Sequence, residues 1–298
     1  MSRPSTAPPP LPFHRFAYTT DRGGWEFLDA PPPADLRGVV ESFWVSRGQV
    51  TFLHEKILPQ NNVELMFNLE QPFGVPNRPP RSRSFKRAWV AGMQQEWLMV
   101  TPQYDVTQPS YLLSMRMPPL GAYRVLGMPL GEVARDVIEL NDVLGDEVNA
   151  VHEQLGNNGD AGQQFAILCE FARRRVARSR VSVRPDAQLA IDALSRSHGT
   201  DRIERICDSL HVSRKHLRTL FGQHVGLSPK AYGRVFRFRR VIDLVQGARS
   251  APDWVQLAMS CGYYDQSHFN REFREFAGMS PVEFAAAGSV DGLTVVVG

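Results

Sequence analysis

Hydrophobic residues change their spacing along the chain near residue 120. Residues 25–118 hold short segments such as VVESFWVSRG, NVELMFNLE and YLLSMRM, which are rich in β-branched and aromatic side chains. Pro, Gly and Asn separate these segments, and this pattern is typical of β-strands joined by turns. The stretch at residues 75–87 is polar, basic and proline-containing, and we expect it to be a surface loop.

From Gly121 onward, apolar residues recur at helical spacing in LGAYRVLG, LGEVARDVIEL and GDEVNAVHEQL. Glycine and asparagine at 156–162 predict a break. Residues 163–180 are then predicted to form one helix whose arginine-rich end suits the dipole of a helix C-terminus. A boundary follows at VSVRPDAQ, where Asp186 is expected to cap the next helix.

The last third of the chain contains one arrangement twice, at residues 201–232 and 252–284. Each copy is predicted to be a helix, a tight turn and a second helix, followed by G-x-S-P and a further helix. Two helices that cross steeply need a small residue at their contact, and Cys207 and Ala258 supply it. The sequence therefore predicts two helix-turn-helix units.

The turns and helix starts of both copies hold suitable residues. A tight turn needs a residue that tolerates positive φ, which glycine does freely and histidine more often than most residues. Gly262 occupies this position in the second copy and His211 in the first. Ser213 and Asp265 are favourable N-caps for the second helices.

The outer faces of the two second helices are polar. Side chains of this kind can reach base edges and phosphates in a DNA major groove, and arginine is well suited to guanine. A charged face on one isolated helix is more often simply solvated, but its duplication favours DNA binding. For His268, packing or capping is as good an interpretation as a phosphate contact. The predicted DNA-binding residues are Ser213, Arg214, Lys215, Arg218, Thr219, Gln266, Ser267, His268, Asn270, Arg271 and Arg274.

A linker helix is predicted between the two units. The second helices begin 52 residues apart, at Ser213 and Asp265. The intervening helix, from Pro229 to Gln246, would span about 27 Å. It could hold two reading helices about one turn of DNA, roughly 34 Å, apart. The linker arginines would either face phosphate or solvate the helix; they are Arg234, Arg237, Arg239 and Arg240.

Composition supports a two-domain globular chain of 298 residues, with 43% hydrophobic and 22% charged residues. The net charge of +3 arises from the C-terminal part, where residues 181–298 hold 15 Lys/Arg against 12 Asp/Glu. No apolar run approaches the roughly 18 residues of a membrane span, and the first residues do not have the pattern of a secretory signal. Three distant cysteines predict neither a disulfide framework nor a zinc site, and they suit a reducing cytoplasm.

The C-terminal segment resembles the DNA-binding domain of the AraC/XylS family. HVSRKHLRTLFGQHVGLSPKAYGRVFRFRRV and LAMSCGYYDQSHFNREFREFAGMSPVEF are the matching stretches, and the second resembles the signature G-[FY]-x-D-x-S-x-F-x-R-x-F-[KR]. This specific resemblance covers about 100 residues and implies two units that bind DNA as a rigid pair. It implies that Lys215, Thr219, Ser267 and Arg271 face bases.

The N-terminal half also resembles a sensing domain of such regulators. EKILPQNNVELMFNLEQPF and AWVAGMQQEWLMV resemble a less-studied group with I-L-P-[DQ]-G-x-x-[ED]-L-x-F-N-L and V-x-G-x-Q. Asn62 lies near the usual glycine, so the turn after Pro59 is expected to differ. The resemblance implies a small cupin-like β-barrel or sandwich closed by helices.

No enzyme motif is found in the sequence: GxGxxG, a P-loop, HExxH and a nucleophile elbow are all missing. We therefore expect no enzymatic activity and no cofactor. His54, Glu55 and Glu64 could suggest a cupin metal site, but no further histidine follows at ligand-like spacing, and no metal is predicted. Six aromatic residues would either line a ligand cavity or form core: Trp25, Phe43, Trp44, Phe67, Trp89 and Trp97.

The combined prediction is an α+β protein, with a cupin-like barrel or sandwich and trailing helices, followed by an all-α tandem helix-turn-helix domain. The divisions are a disordered proline-rich tail at 1–20, a sensing or dimerisation domain at 21–160, a connecting helix and linker at 161–184, the DNA-binding domain at 185–286 and a C-terminal tail at 287–298.

The predicted function is that of a cytoplasmic, sequence-specific transcription factor. Double-stranded DNA is the predicted partner, and RNA polymerase, a small-molecule effector and a second copy of the chain are further candidates. Two alternatives are an enzyme-like barrel fused to a DNA-binding domain, and an N-terminal module that recruits another protein.

Overall fold

A computed structural model describes residues 13–20, 23–50, 54–70, 72–75, 83–102, 109–248, 252–288 and 294–297. The strands are β1 His14–Thr20, β2 Gly23–Ala30, β3 Ser42–Val50, β4 His54–Ile57, β5 Val63–Asn68, β6 Phe73–Val75, β7 Arg83–Phe85, β8 Ala88–Ala91, β9 Leu98–Pro102, β10 Ser110–Met117, β11 Val137–Glu139 and β12 Thr294–Val297. The first helices are α1 Pro119–Leu126, α2 Leu140–Leu144, α3 Glu147–Gly156 and α4 Ala161–Arg178. The later helices are α5 Pro185–Arg196, α6 Ile203–Leu210, α7 Arg214–His224, α8 Pro229–Gly247, α9 Trp254–Ser260, α10 Gln266–Ala277 and α11 Pro281–Ala287.

The strands form two sheets that pack as a sandwich. One sheet has the order β1-β2-β3-β10-β5-β8-β11, and the other has the order β12-β4-β9-β6-β7. A small apolar cluster lies between them, with Trp89 and Val137 from the first sheet and Phe85 and Leu98 from the second. The fold class is therefore α+β, as predicted, with the sheets in the N-terminal half and the tandem helical units after them.

Helices cover the opposite face of the seven-stranded sheet. Phe165 and Phe171 of α4 pack on Phe43 and Phe67, with ring centroids 6.1 Å and 6.4 Å apart. All four side chains are fully buried. The predicted helix at 163–180 is α4, and its Asp160 N-cap accepts a hydrogen bond from the Gln163 amide.

The segment LGEVARDVIEL is not the helix that its spacing predicts. Leu130–Glu132 forms a single 3-10 turn, and Val137–Glu139 forms strand β11, which pairs with β8. Arg135 has a φ of 61°, which interrupts the helical path. Most of these apolar residues are buried, but pairing with β8 gives Val137–Glu139 an extended conformation, and Leu140 begins the short helix α2.

Both predicted tails contain strands. Residues 1–12 lie outside the described residues, but His14–Thr20 pairs with β2 and is an ordered sheet edge. Thr294–Val297 pairs with β4, so this segment of the predicted C-terminal tail belongs to the five-stranded sheet. The predicted loop at 75–87 is likewise wrong at its ends, because Val75 pairs with Arg83; its centre lies outside the described residues.

The two halves of the chain are in direct contact. The end of α7 packs on the N-terminal half, where the ring of His224 lies 4.5 Å from that of Tyr123. The turn after α10 contacts the sandwich, because Lys56 Nζ donates to the Gly278 carbonyl oxygen at 3.2 Å. Among the described residues, no helix is both long and apolar enough to cross a membrane.

Candidate nucleic-acid interface

The first helix-turn-helix unit comprises α6, a short turn and α7. Cys207 is buried where the helices meet, and His211 adopts a left-handed conformation with φ of 53°, as predicted. The Val212 amide donates to the Cys207 carbonyl oxygen at 3.0 Å and closes the turn. Ser213 then caps α7, because its hydroxyl accepts a hydrogen bond from the His216 amide at 3.1 Å.

The second unit repeats this geometry with α9 and α10. Ala258 is fully buried at the helix contact, and the Tyr263 amide donates to its carbonyl oxygen at 3.0 Å. Gly262 has φ of 78°, and a Cβ there would lie 2.6 Å from Thr200 Cγ2. Asp265 caps α10 by accepting a hydrogen bond from the His268 amide at 2.6 Å. The predicted turn and cap residues are thus confirmed in both units.

The turn of the second unit is one residue longer than that of the first. Val212 and Tyr263 are equivalent, because each returns a hydrogen bond to the small contact residue of its unit. Tyr264 is therefore inserted directly before the N-cap, and it is 90% exposed. Sequence reasoning overlooked this residue, although counting the positions between the positive-φ residue and the cap would have found it.

Most of the predicted DNA-binding residues lie on exposed surface, and two do not. His268 and Asn270 are half-buried. The ring of His268 lies 5.5 Å from that of Tyr263, and its Nε2 lies 3.7 Å from Glu272 Oε2. The exposed residues are Ser213, Arg214, Lys215, Arg218, Thr219, Gln266, Ser267, Arg271 and Arg274.

Asp186 ties the first recognition helix, α7, to α5. Its Oδ2 lies 2.8 Å from His216 Nε2, and Arg184 binds both carboxylate oxygens at 3.1 Å. Hydrogen bonds from Arg184 and His216 hold the pKa of Asp186 well below its usual range. The predicted capping role of Asp186 is wrong, because α5 begins at Pro185 after Arg184, so Asp186 lies in the first turn.

The linker helix α8 directs arginines toward protein. Arg234 Nε donates to Glu272 Oε2 at 2.7 Å, and Arg237 Nη2 lies 3.5 Å from Glu272 Oε1. Arg239 pairs with Asp243 at 3.0 Å. The expectation that linker arginines face phosphate or solvent therefore fails for Arg234 and Arg237, because a buried carboxylate on α10 binds them.

The residues considered for a cupin metal site have other partners. His54 Nδ1 lies 3.0 Å from Thr101 Oγ1, and Glu64 accepts a hydrogen bond from Arg116 at 2.7 Å. Across the ranges that the structure describes, no three His, Cys, Asp or Glu side chains form a group that could hold a metal ion. Cys169, Cys207 and Cys261 are separate buried thiols.

The six N-terminal aromatic residues lie in three different surroundings. Phe43, Trp44, Phe67 and Trp89 belong to the core. Trp97 packs under Lys56, whose Nζ lies 4.6 Å from the ring centroid. Trp25 lines an open cleft of about 480 Å³ on the seven-stranded sheet, with Arg15, Glu26, Arg47, Glu70 and Tyr111 among the other lining residues.

Comparison with known families and relatives agrees with this geometry. Residues 206–287 match the family described as "Helix-turn-helix domain". The chain is 25% identical over 170 residues to the HTH-type transcriptional regulator ArgR of Pseudomonas aeruginosa, a match that covers 56% of this chain and 47% of that protein. It is 34% identical over 80 residues to the HTH-type transcriptional activator RhaS of Escherichia fergusonii, covering 27% of this chain and 28% of that protein.

The C-terminal domain is of the AraC type. Residues 29–139, ahead of this AraC-type domain, match a second family, described as "Domain of unknown function (DUF6597)". ToxT from Vibrio cholerae has a similar fold, with a TM-score of 0.50 and 15% identity over 82% of this chain and 98% of that one. The matches to the curated relatives span about half the length of ArgR and under a third of RhaS.

Proposed function

We propose that this protein is a sequence-specific DNA-binding transcriptional regulator that inserts its two recognition helices, α7 and α10, into adjacent major grooves. The duplicated unit carries this proposal. Two capped helices follow tight turns of the same geometry, and each presents exposed polar and basic side chains on its outer face. Such faces are suited to phosphate contacts and to base-edge readout.

The contacts between the two halves leave these outer faces open. The N-terminal half packs on the C-terminal end of α7 and on the turn after α10. Arg214, Lys215 and Arg218 near the start of α7 are exposed, as are Arg271 and Arg274 of α10. The conformation described here is therefore compatible with DNA reaching both recognition helices.

Footprinting with the full chain tests this function. The full chain should protect a discrete site with two segments centred about 10 base pairs apart on one face of the DNA. Binding should weaken steeply as salt rises, because cations that contact phosphates release counterions from DNA. Uniform, sequence-independent protection at all protein concentrations would refute the proposal.

For the N-terminal domain, we propose small-molecule sensing or dimerisation. The cleft beside Trp25 is the place where an effector would bind, because Arg15, Arg47 and Tyr111 offer polar groups around an aromatic side chain. Both arginines pair with Glu26. A ligand-screen thermal shift, combined with quenching of Trp25 fluorescence, would detect binding, and a Trp25→Phe variant would assign the signal.

We also propose where this protein acts and that it acts without catalysis. The protein would act without catalysis in the cytoplasm, where DNA and RNA polymerase are available. Metal retained by purified protein, together with turnover of a small substrate, would favour a fused enzyme. Co-purification of one stoichiometric protein in the absence of any ligand response would favour a recruitment module.

A further inference from the structure

The inner face of the second recognition helix carries a buried carboxylate. Glu272 follows directly after Arg271, yet its side chain is only 4% exposed. Phe269, Phe273 and Phe276 on the same helix are fully buried. A charge in such surroundings is unfavourable unless it is paired and hydrogen-bonded.

Two arginines of the linker helix provide that pairing. Arg234 Nε donates to Glu272 Oε2 at 2.7 Å, and its Nη2 donates to Glu275 at 2.7 Å. The Arg234 guanidinium also lies over the ring of Phe276, 5.0 Å from its centroid. Burial disfavours the charged form of Arg234, but the hydrogen bonds with Glu275 and Glu272 raise its pKa.

Arg237 extends the same contact to the turn that precedes the first unit. Its Nη1 donates to the Gly199 carbonyl oxygen at 3.0 Å, while its Nη2 lies 3.5 Å from Glu272 Oε1, which is an ion-pair contact and not a hydrogen bond. Gly199 belongs to the turn between α5 and α6. One guanidinium group therefore contacts the turn that leads into the first unit and the second recognition helix at the same time.

The backbones are closely packed around this arginine. A Cβ at Gly199 would collide with the carbonyl oxygen of Gly233 on the linker helix. Beside it, Thr200 packs against Gly262, the turn residue of the second unit. We call Gly199, Gly233, Arg237, Gly262 and Glu272 the junction, because they join the turn before the first unit, the linker helix and the second unit.

We propose that Glu272 and Arg237 are positioning residues that set the orientation of the second recognition helix relative to the first. This inference rests on the proposed DNA-binding function and extends it. Arg237 combines a hydrogen bond to the Gly199 carbonyl with an ion pair to Glu272, and its planar guanidinium fixes the directions of these two contacts more rigidly than an ammonium group would. Glu272 and Arg237 thereby determine which spacing between two half-sites the protein accepts.

The consequence is a specific DNA-binding phenotype. Two linked reading helices gain affinity from acting together only when both reach their half-sites at once. Inserting one base pair between half-sites turns one of them by about 35° and shifts it by about 3.4 Å. A rigid pair of recognition helices should bind such DNA about tenfold or more weakly than DNA of the selected spacing. A loosened pair should differ much less in its affinity for the two spacings.

The test uses full-length protein and a two-part site selected from random DNA by the wild type. Affinity is measured for the selected spacing, for spacers one base pair shorter or longer, and for each half-site alone. The variants are Glu272→Gln and Arg237→Lys, which preserve most of the side-chain volume. Asp243→Asn is the matched control, since Asp243 is a mostly exposed carboxylate of the linker helix that pairs with Arg239 of the same helix.

Both junction variants should bind the selected spacing about tenfold more weakly and should discriminate between spacers by no more than about threefold. Affinity for single half-sites should stay within about twofold of wild type, which a general loss of folding would not permit. Asp243→Asn should match wild type. The inference is overturned if both junction variants retain the spacing preference of wild type. It is also overturned if their affinity for single half-sites falls as much as their affinity for the selected spacing. Failure of the wild type to select any sequence would instead contradict the proposed function, and the inference with it.

Discussion

At the scale of single residues, neighbouring side chains of α10 have different roles on its outer and inner faces. Arg271 is exposed and belongs to the predicted base-contacting set, while its neighbour Glu272 points inward. Arg271→Ala should lower affinity for the preferred site by about 1–3 kcal/mol and relax preference within one half of it. Competition binding against mutated sites measures this.

Arg205→Ala is the control, because this arginine of α6 is 82% exposed and outside the recognition helices. Equal losses on specific and random DNA would contradict a base-reading role for Arg271.

Tyr264 is the second residue to test. Its phenol is 90% exposed and directly precedes the N-cap of α10, so we expect it to contact the DNA sugar–phosphate backbone. Tyr264→Ala should weaken specific and random DNA alike by about threefold to tenfold, with an unchanged salt dependence because no charge is removed. The melting temperature should not change.

Met259→Ala is the control, because it alters a 67% exposed residue of α9 and should leave the affinity for DNA unchanged. Equal effects of the Tyr264 and Met259 substitutions would contradict the expectation.

At the scale of elements, Asp186 holds α5 against the first recognition helix. Because its folded pKa is lowered, its stabilising effect is complete above the unfolded pKa, which is about 4, and disappears as pH falls toward the lower folded pKa. Asp186→Asn should therefore lower the free energy of unfolding by about 1 kcal/mol or more at pH 7. The difference from wild type should shrink below about pH 4, as measured by urea unfolding at several pH values. A difference that is independent of pH would contradict this role.

Elements governed by local contacts were predictable from the sequence, and those governed by distant partners were not. Ser213 and Asp265 cap helices through amides three residues away, so local sequence is sufficient. Strand β11 depends on pairing with β8, more than 40 residues earlier, and its apolar spacing also fits a helix. Arg234 similarly pairs with Glu272, which lies 38 residues later in the chain. Because the linker sequence alone does not reveal this partner, its arginines appeared to be available for phosphate.

At the scale of the whole molecule, the C-terminal strand joins the two halves. Val295 of β12 is 1% exposed and belongs to the main core, while β12 forms the edge of the five-stranded sheet. Val295→Ala should lower the free energy of unfolding by about 1–3 kcal/mol, because it removes buried methyl groups. Urea denaturation checks this. Val296→Ala changes a half-buried neighbour and should lower the free energy of unfolding clearly less than Val295→Ala does. Equal losses for the two substitutions would contradict an anchored tail.

The central claim is that two recognition helices read one DNA site together. Selection of binding sites from random double-stranded DNA by the full chain tests it most directly. The account predicts two enriched sequence blocks whose centres lie about 10 base pairs apart, with Arg271→Ala losing information in only one block. Enrichment of no sequence, or of a single block that tolerates any flanking DNA, would contradict it.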